Sequence, residues 1–255
     1  MSKTILYLTD NGIDENLLAK CRELLLKVSC GLPIVSVSQK PIDLGTNICV
    51  GDIGRSGMSI DTQILIGLDA VKTKWVSVAE HDCVYSEEHF QYIPPDDKFF
   101  WYNVNQWLAQ YYHPRHPEIQ GMYSHLRNRF AMSQLVADTE LFKESAALRH
   151  AIISAGAWRR KYPMGRIGEP GVAHPEKVRA LLSRIRDGYP EQEMISLNEK
   201  LDQYLTKYTA KRFRTKIPNL DLRHSDNFTG QRRGKNRTYD LPPWGRLEDV
   251  LGTLP

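Results

Sequence analysis

The 255-residue sequence predicts an α/β fold: a mixed, mostly parallel sheet flanked by helices, with an appended helical lobe. Three observations predict it. Compact apolar runs at 5–9, 33–38 and 75–79 alternate with stretches of helical periodicity. The first and third runs end directly in polar residues, Asp10-Asn11-Gly12 and Glu80-His81-Asp82. Beyond residue 98 the alternation stops and helical periodicity takes over.

The elements follow in order. Residues 5–9 (ILYLT) read as a strand ending in a turn. Over 14–28, Leu17, Leu18, Cys21, Leu24, Leu25 and Val28 recur at helical spacing, with Asp14 and Glu15 suited to a first turn. Residues 33–38 read as a second strand, and the glycine-bearing stretch 46–57 as a loop able to approach a ligand closely. Residues 59–70 read as a helix capped by Ser59, and 75–79 as a third strand. This β-α-β-α-β alternation implies parallel strands with helices on both faces, and ligands at the carboxyl ends of the strands. Further on, 99–102 reads as an aromatic strand and 103–107 as a short helix, while 133–150, 175–186 and 192–208 carry helical periodicity. The stretch 162–175 reads as a loop between helices.

Composition narrows the class. Hydrophobic residues make up 41% and charged residues 25%, ordinary values for a globular protein. No run approaches the roughly 20 apolar residues of a membrane span, and the start lacks the flanks of a secretory signal. Cys21, Cys30, Cys49 and Cys83 have no CxxC spacing, so the expectation is reduced thiols in a cytoplasmic protein. The net charge of +4 is unevenly spread. Between Lys207 and Arg237 the cations Lys207, Lys211, Arg212, Arg214, Lys216, Arg223, Arg232, Arg233, Lys235 and Arg237 face only Asp221 and Asp226. Such a block attracts phosphate, and serves equally as a solvated terminal segment.

Glu80-His81-Asp82 is the sharpest signal. Acids at alternate positions just past a buried strand point to one side of the chain, where a divalent cation can join carboxylate to phosphate oxygens. ILYLTDNG, GRSGMSIDTQILIGL and WVSVAEHDCVYSEEHF together resemble the GT-A glycosyltransferases, especially the family 2-like group, over roughly the first hundred residues. The resemblance implies a Rossmann-like GT-A fold, a nucleotide-sugar donor (UDP-linked) and a Mn2+ or Mg2+ cofactor. It also implies a division into a donor-binding half (1–98), a largely helical acceptor half (99–205) and a basic segment closing over the donor (206–255). Glu80 stands where the family has its first Asp, so Asp82 is the expected metal ligand and Glu80 an expected donor contact. Thr9, Asp10, Arg55 and Asp61 are expected to border the nucleotide, although Asp61 serves equally as a first-turn acid.

A late histidine is the second anchor. His224 follows a short strand-like stretch, and the resemblance implies a second metal ligand there, with Arg223, Asn227 and Thr229 on the diphosphate. The other histidines, His81 among them, show no ligand spacing. An inverting reaction needs a carboxylate base; Asp138 and Glu140 are the first candidates and Glu169 a third. Aromatic residues set among basic ones, such as Trp101, Trp107, Arg127 and Arg129, suit DNA with a hydroxymethylated base as acceptor. A cell-surface saccharide is the alternative acceptor, and an inactive nucleic-acid-binding module of the same fold is the alternative class. A membrane acceptor is not expected.

Overall fold

The structure is a computed structural model that describes residues 3–152, 154, 168–172, 191–225, 227 and 235–255. Its main sheet has seven strands, in the spatial order Ala210–Phe213, Phe100–Asn103, Leu135–Asp138, Trp75–Glu80, Lys3–Thr9, Ile34–Ser38 and Thr46–Cys49. The first half alternates as the periodicity predicts: β1 (Lys3–Thr9), α1 (Glu15–Val28), β2 (Ile34–Ser38), β3 (Thr46–Cys49), α2 (Gly57–Ala70) and β4 (Trp75–Glu80). β1 pairs in parallel with β2 and β4, and β2 with β3, so each connection between them is a crossover. Asp14 caps α1 by accepting from the amides of Asn16 and Leu17. Ser56, rather than Ser59, caps α2, and its hydroxyl accepts from the Ser59 amide.

Along β1, alternate residues serve opposite cores. Leu6 and Leu8 join Val37, Ile64, Leu68 and Phe142 on one face, while Ile5 and Tyr7 join Leu25, Tyr85 and Phe90 on the other. Helix α2 lies so close that a Cβ at Gly67 would sit 2.4 Å from Leu6 Cδ1 and 2.9 Å from Val37 Cγ2. Only a residue without a side chain permits that approach.

After β4 come the two-residue β5 (Cys83–Val84), α3 (Glu87–Gln91), β6 (Phe100–Asn103), β7 (Gln106–Gln110), β8 (Tyr123–His125), β9 (Leu135–Asp138) and α4 (Thr139–Ile152). The chain then continues through α5 (Glu191–Lys207), β10 (Ala210–Phe213), β11 (Asn219–Arg223), β12 (Lys235–Thr238) and α6 (Leu247–Leu251). A second, five-stranded sheet has the order β12-β8-β7-β11-β5. Helix α1 seals the gap beside it, with Leu17, Leu18 and Cys21 packed on Val84, Ala109, Tyr123, Leu220 and Leu222.

Three expectations need correction. The stretch 99–138 is strand-rich rather than helical, and 103–107 runs into β7 instead of a helix. Residues 135–138, read as helix, form β9 between β4 and β6 and antiparallel to both. Leu135, Val136 and Ala137 are wholly buried, and a strand covered on both faces has the unbroken apolar run that a buried helix also shows. The loop at 46–57 contributes the edge strand β3. Helix α5 lies where 192–208 predicted it, whereas 175–186 lies outside the described residues. Among the described residues no helix is long and apolar enough to cross a membrane.

Candidate metal and donor site

Parallel pairing of β1 with β4 sets Leu8 beside Glu80, so Thr9-Asp10 and His81-Asp82 leave the sheet side by side. At His81-Asp82 the chain turns into β5, which pairs antiparallel with β11 through Cys83↔Asp221 and Val84↔Leu220. The Leu222 amide donates to the Asp82 carbonyl at 2.8 Å. This pairing carries the end of β11, and with it His224, onto the acidic turn.

His81, Asp82 and His224 consequently meet, their ligand atoms all within 4.8 Å of one another. His224 Nε2 lies 3.7 Å from Asp82 Oδ2, and the two imidazole rings are 6.2 Å apart, edge to face. His81 Nδ1 is 2.8 Å from Thr9 Oγ1, a contact that fixes the ring's orientation. Asn227 binds both sides of the cluster: its Nδ2 donates to Asp82 Oδ2 at 3.1 Å and its Oδ1 accepts from the His224 amide at 2.7 Å. Burial opposes charge on the Asp82 carboxyl. The neighbouring His224 and the positive charge around the carboxyl, that of Arg223 included, outweigh it and hold the group below the usual carboxylate range. Burial lowers His81, against the raising effect of Asp82 and Asp10.

A second triplet, Glu80, Asp82 and Cys83, shares the same carboxylate. Burial and the neighbouring Asp82, Glu169 and Asp221 push Glu80 well up, and burial, with Asp82, Asp221 and Glu80 close by, pushes up the Cys83 thiol. Both shifts disfavour the anionic form that a metal ligand needs. One carboxylate with two imidazoles is a mixed oxygen and nitrogen donor set that fits a manganese-like divalent ion.

The remaining candidates divide by position. Asp10 accepts from the Gly12 amide at 2.8 Å and from Arg55 Nε at 2.5 Å, so Arg55 is folded onto the end of β1. Arg223, 2% exposed, donates through Nη2 to Asp221 Oδ2 at 3.2 Å. Asp61 is 2% exposed and bound by Arg149 Nε at 3.1 and 3.2 Å. Thr229 lies outside the described residues. Asp138 pairs with Trp75 at the start of β4, roughly 16 Å of strand from Glu80. There its carboxylate caps α4, accepting from the Glu140 and Leu141 amides at 3.0 Å. Glu140, with its side chain 81% exposed, pairs with Lys143. Neither acid joins the cluster.

Glu169 is placed differently. Tyr102, one residue from the end of β6, donates its hydroxyl to the Pro170 carbonyl at 2.8 Å, and Arg149 donates to the Gly168 carbonyl. These bonds fix Gly168 and Pro170, and Glu169 between them lies close enough to Glu80 to add to the negative field on it. Two residues were not expected at the candidate metal site, His81 and Arg129, the sequence placing the second only in an acceptor surface. Arg129 Nη1 reaches Asp221 Oδ2 at 3.4 Å. The signal that could have pointed to His81 is its place inside the turn, next to Asp82.

No protein-family model and no curated protein match the sequence. Similar folds occur among solved structures. The apo form of glycosyltransferase GlyE from Streptococcus pneumoniae TIGR4 is 10% identical, with a TM-score of 0.43 over 92% of this chain and 58% of that one. S. aureus TarS 1–349 in complex with UDP-GlcNAc is 12% identical, with a TM-score of 0.38 over 81% and 72%. The bifunctional IspDF from Campylobacter jejuni is 11% identical, with a TM-score of 0.35 over 57% and 43%. The chain thus spans about half the length of two of these, 43% of IspDF and 58% of GlyE. The likeness is one of shape alone.

Proposed function

We propose that the chain is a GT-A-type glycosyltransferase that moves a sugar from a UDP-linked donor to an acceptor hydroxyl. One observation carries the reading: Asp82, His81 and His224 converge at the carboxyl ends of β1 and β4, beside Thr9 and Asp10. Ligands of parallel α/β sheets bind at such an edge. Asp82 and His224 would hold a divalent cation, Mn2+ or Mg2+, with His81 as a third donor, and the imidazoles favour manganese. Bound there, the ion supplies charge neutralisation for the departing diphosphate.

The chain's own side chains have separable tasks. Thr9 orients His81, and Asn227 ties Asp82 to the His224 backbone, so the donors are set before a ligand arrives. Asp10 holds Arg55 at the rim, where a small rotation would present the guanidinium to phosphate. Glu169, rather than Asp138 or Glu140, is our candidate for the carboxylate that accepts the acceptor's proton. Its support is its place between Gly168 and Pro170, both held through their carbonyls, and its charge close to Glu80.

The test is release of UDP from a panel of UDP-sugars in the presence of manganese. Release that ceases in chelator, and that falls by roughly a thousandfold in Asp82→Ala, is the expected outcome for loss of a charge-stabilising group. Undiminished release by Asp82→Ala in chelator would overturn the reading.

A further inference from the structure

Arginines collect beside this site with few anions to balance them. The loop after β8 reverses at Asn128, whose φ of 51° lies in the left-handed region, and presents Arg127 on one side and Arg129 on the other. Opposite it runs the edge strand β10 and its continuation, carrying Arg212 and Arg214. Arg212 stacks over the Phe130 ring at 4.8 Å, and Arg214 Nη1 donates to Asn105 Oδ1 at 3.1 Å. Burial first, then the nearby charges of Arg214 and Arg127, oppose protonation of His125, which places both guanidiniums around that ring. His125 in turn lies 5.1 Å from the half-buried Trp107.

Arg127, Arg212 and Arg214 are exposed, and among the described residues no carboxylate pairs with any of them. Clustered like charges raise the energy of the free protein, and an anionic ligand removes that cost on binding. The guanidinium fork matches phosphate, and its stacking on an aromatic ring fixes its direction. Arg129, adjoining Phe130, links the group to Asp221 and so to the Glu80–Asp82 turn.

We propose that Arg127, Arg212 and Arg214 form a phosphate-gripping surface that seats the backbone of a nucleic-acid acceptor beside the sugar-transfer site. Phosphate spacing along a strand suits several separate guanidiniums, and the half-buried rings of Trp107 and His125 lie beside them as aromatic partners for a base. That the nucleic acid is an acceptor rests on the transferase reading; that it binds here does not.

The experiment is fluorescence anisotropy with a short labelled DNA duplex and its single strand, over a salt series, without donor. The wild type is expected to bind with strong salt dependence. Replacing all three arginines by glutamine should weaken binding at low salt at least roughly tenfold. It should also cut the slope of log K on log salt by about 2 to 3, near 0.9 for each duplex phosphate no longer neutralised. The triple Arg→Lys variant should keep most of the slope. Binding of UDP with manganese, followed by calorimetry, should be equal in all three proteins, which separates this surface from the donor site. Failure of UDP to bind the wild type would count against the transferase reading alone. Absence of DNA binding, an unchanged slope in the glutamine variant, or equal affinity for polyglutamate would each overturn the surface.

Discussion

Thr9 shows how one hydroxyl can govern a site it does not complete. Its Oγ1 meets His81 Nδ1 and also accepts from the Asn11 amide at 2.9 Å, which leaves the imidazole a single orientation. Thr9→Val preserves shape and removes that bond, so manganese affinity measured by calorimetry should fall roughly tenfold or more. Unchanged affinity would take His81 out of the site. His89 makes a second prediction, unrelated to function. It is wholly buried among Tyr85, Phe90 and Phe213, neither ring nitrogen has a partner among the described residues, and burial lowers it to about 3. The folded chain keeps it neutral while the unfolded chain protonates it below about 6.5, so the unfolded state binds more protons between those values. Stability should therefore drop as pH falls through that window, by up to about 1.4 kcal/mol per unit from this group, and denaturant titrations of His89→Leu should show a shallower fall. Residue chemistry could be proposed where type and strand-end position coincided, at Asp82 and His224, whose side chains the structure brings together. It was not legible at His81, because its partners come from β1 and β11 rather than from a sequence spacing.

Among the elements, α2 and α4 are joined by the buried pair Asp61–Arg149, whose side chains are 3% and 6% exposed. Arg149 also donates to the Gly168 carbonyl and so fixes the segment carrying Glu169. Burial raises the Asp61 carboxyl, against the lowering effect of Arg149. Arg149→Met strands that acid, and the expected cost is about 3–5 kcal/mol, seen as a lowered Tm. The paired change Asp61→Leu/Arg149→Met should recover most of it, and a single variant as stable as wild type would show that the pair does not join the helices. The same elements show why 133–150 was misread. β9 is buried on both faces and runs straight into α4, with Asp138 as the cap, so no polar alternation marks the change of period. β5, two residues long, is too short to show a strand period, yet its pairing with β11 brings His224 to the acidic turn.

For the whole molecule, the site lies where two sheets are stitched together. The main sheet supplies Thr9, Asp10 and the acidic turn; the second supplies Arg223, His224 and, just beyond, Asn227. Donor and metal binding should accordingly tighten this seam. In hydrogen exchange, the amides of Leu222, bonded to the Asp82 carbonyl, and His224, bonded to Asn227, should gain protection on adding UDP and manganese, while those of α5 should not change. The parallel half of the main sheet was legible because apolar runs and helical periods alternate at regular spacing there. The second sheet was not. Its strands are short, and several inward positions are polar, such as Gln106, Asn219 and Asp221, whose neighbours exist only in the folded chain. Function turns on whether Asp82, with His224, binds a divalent cation against a diphosphate. Electron paramagnetic resonance of manganese in the presence of UDP reads that binding without intermediaries. One bound ion is expected in the wild type, with at least roughly a hundredfold weaker binding in well-folded Asp82→Asn; equal affinity in the two proteins would refute the proposed metal site.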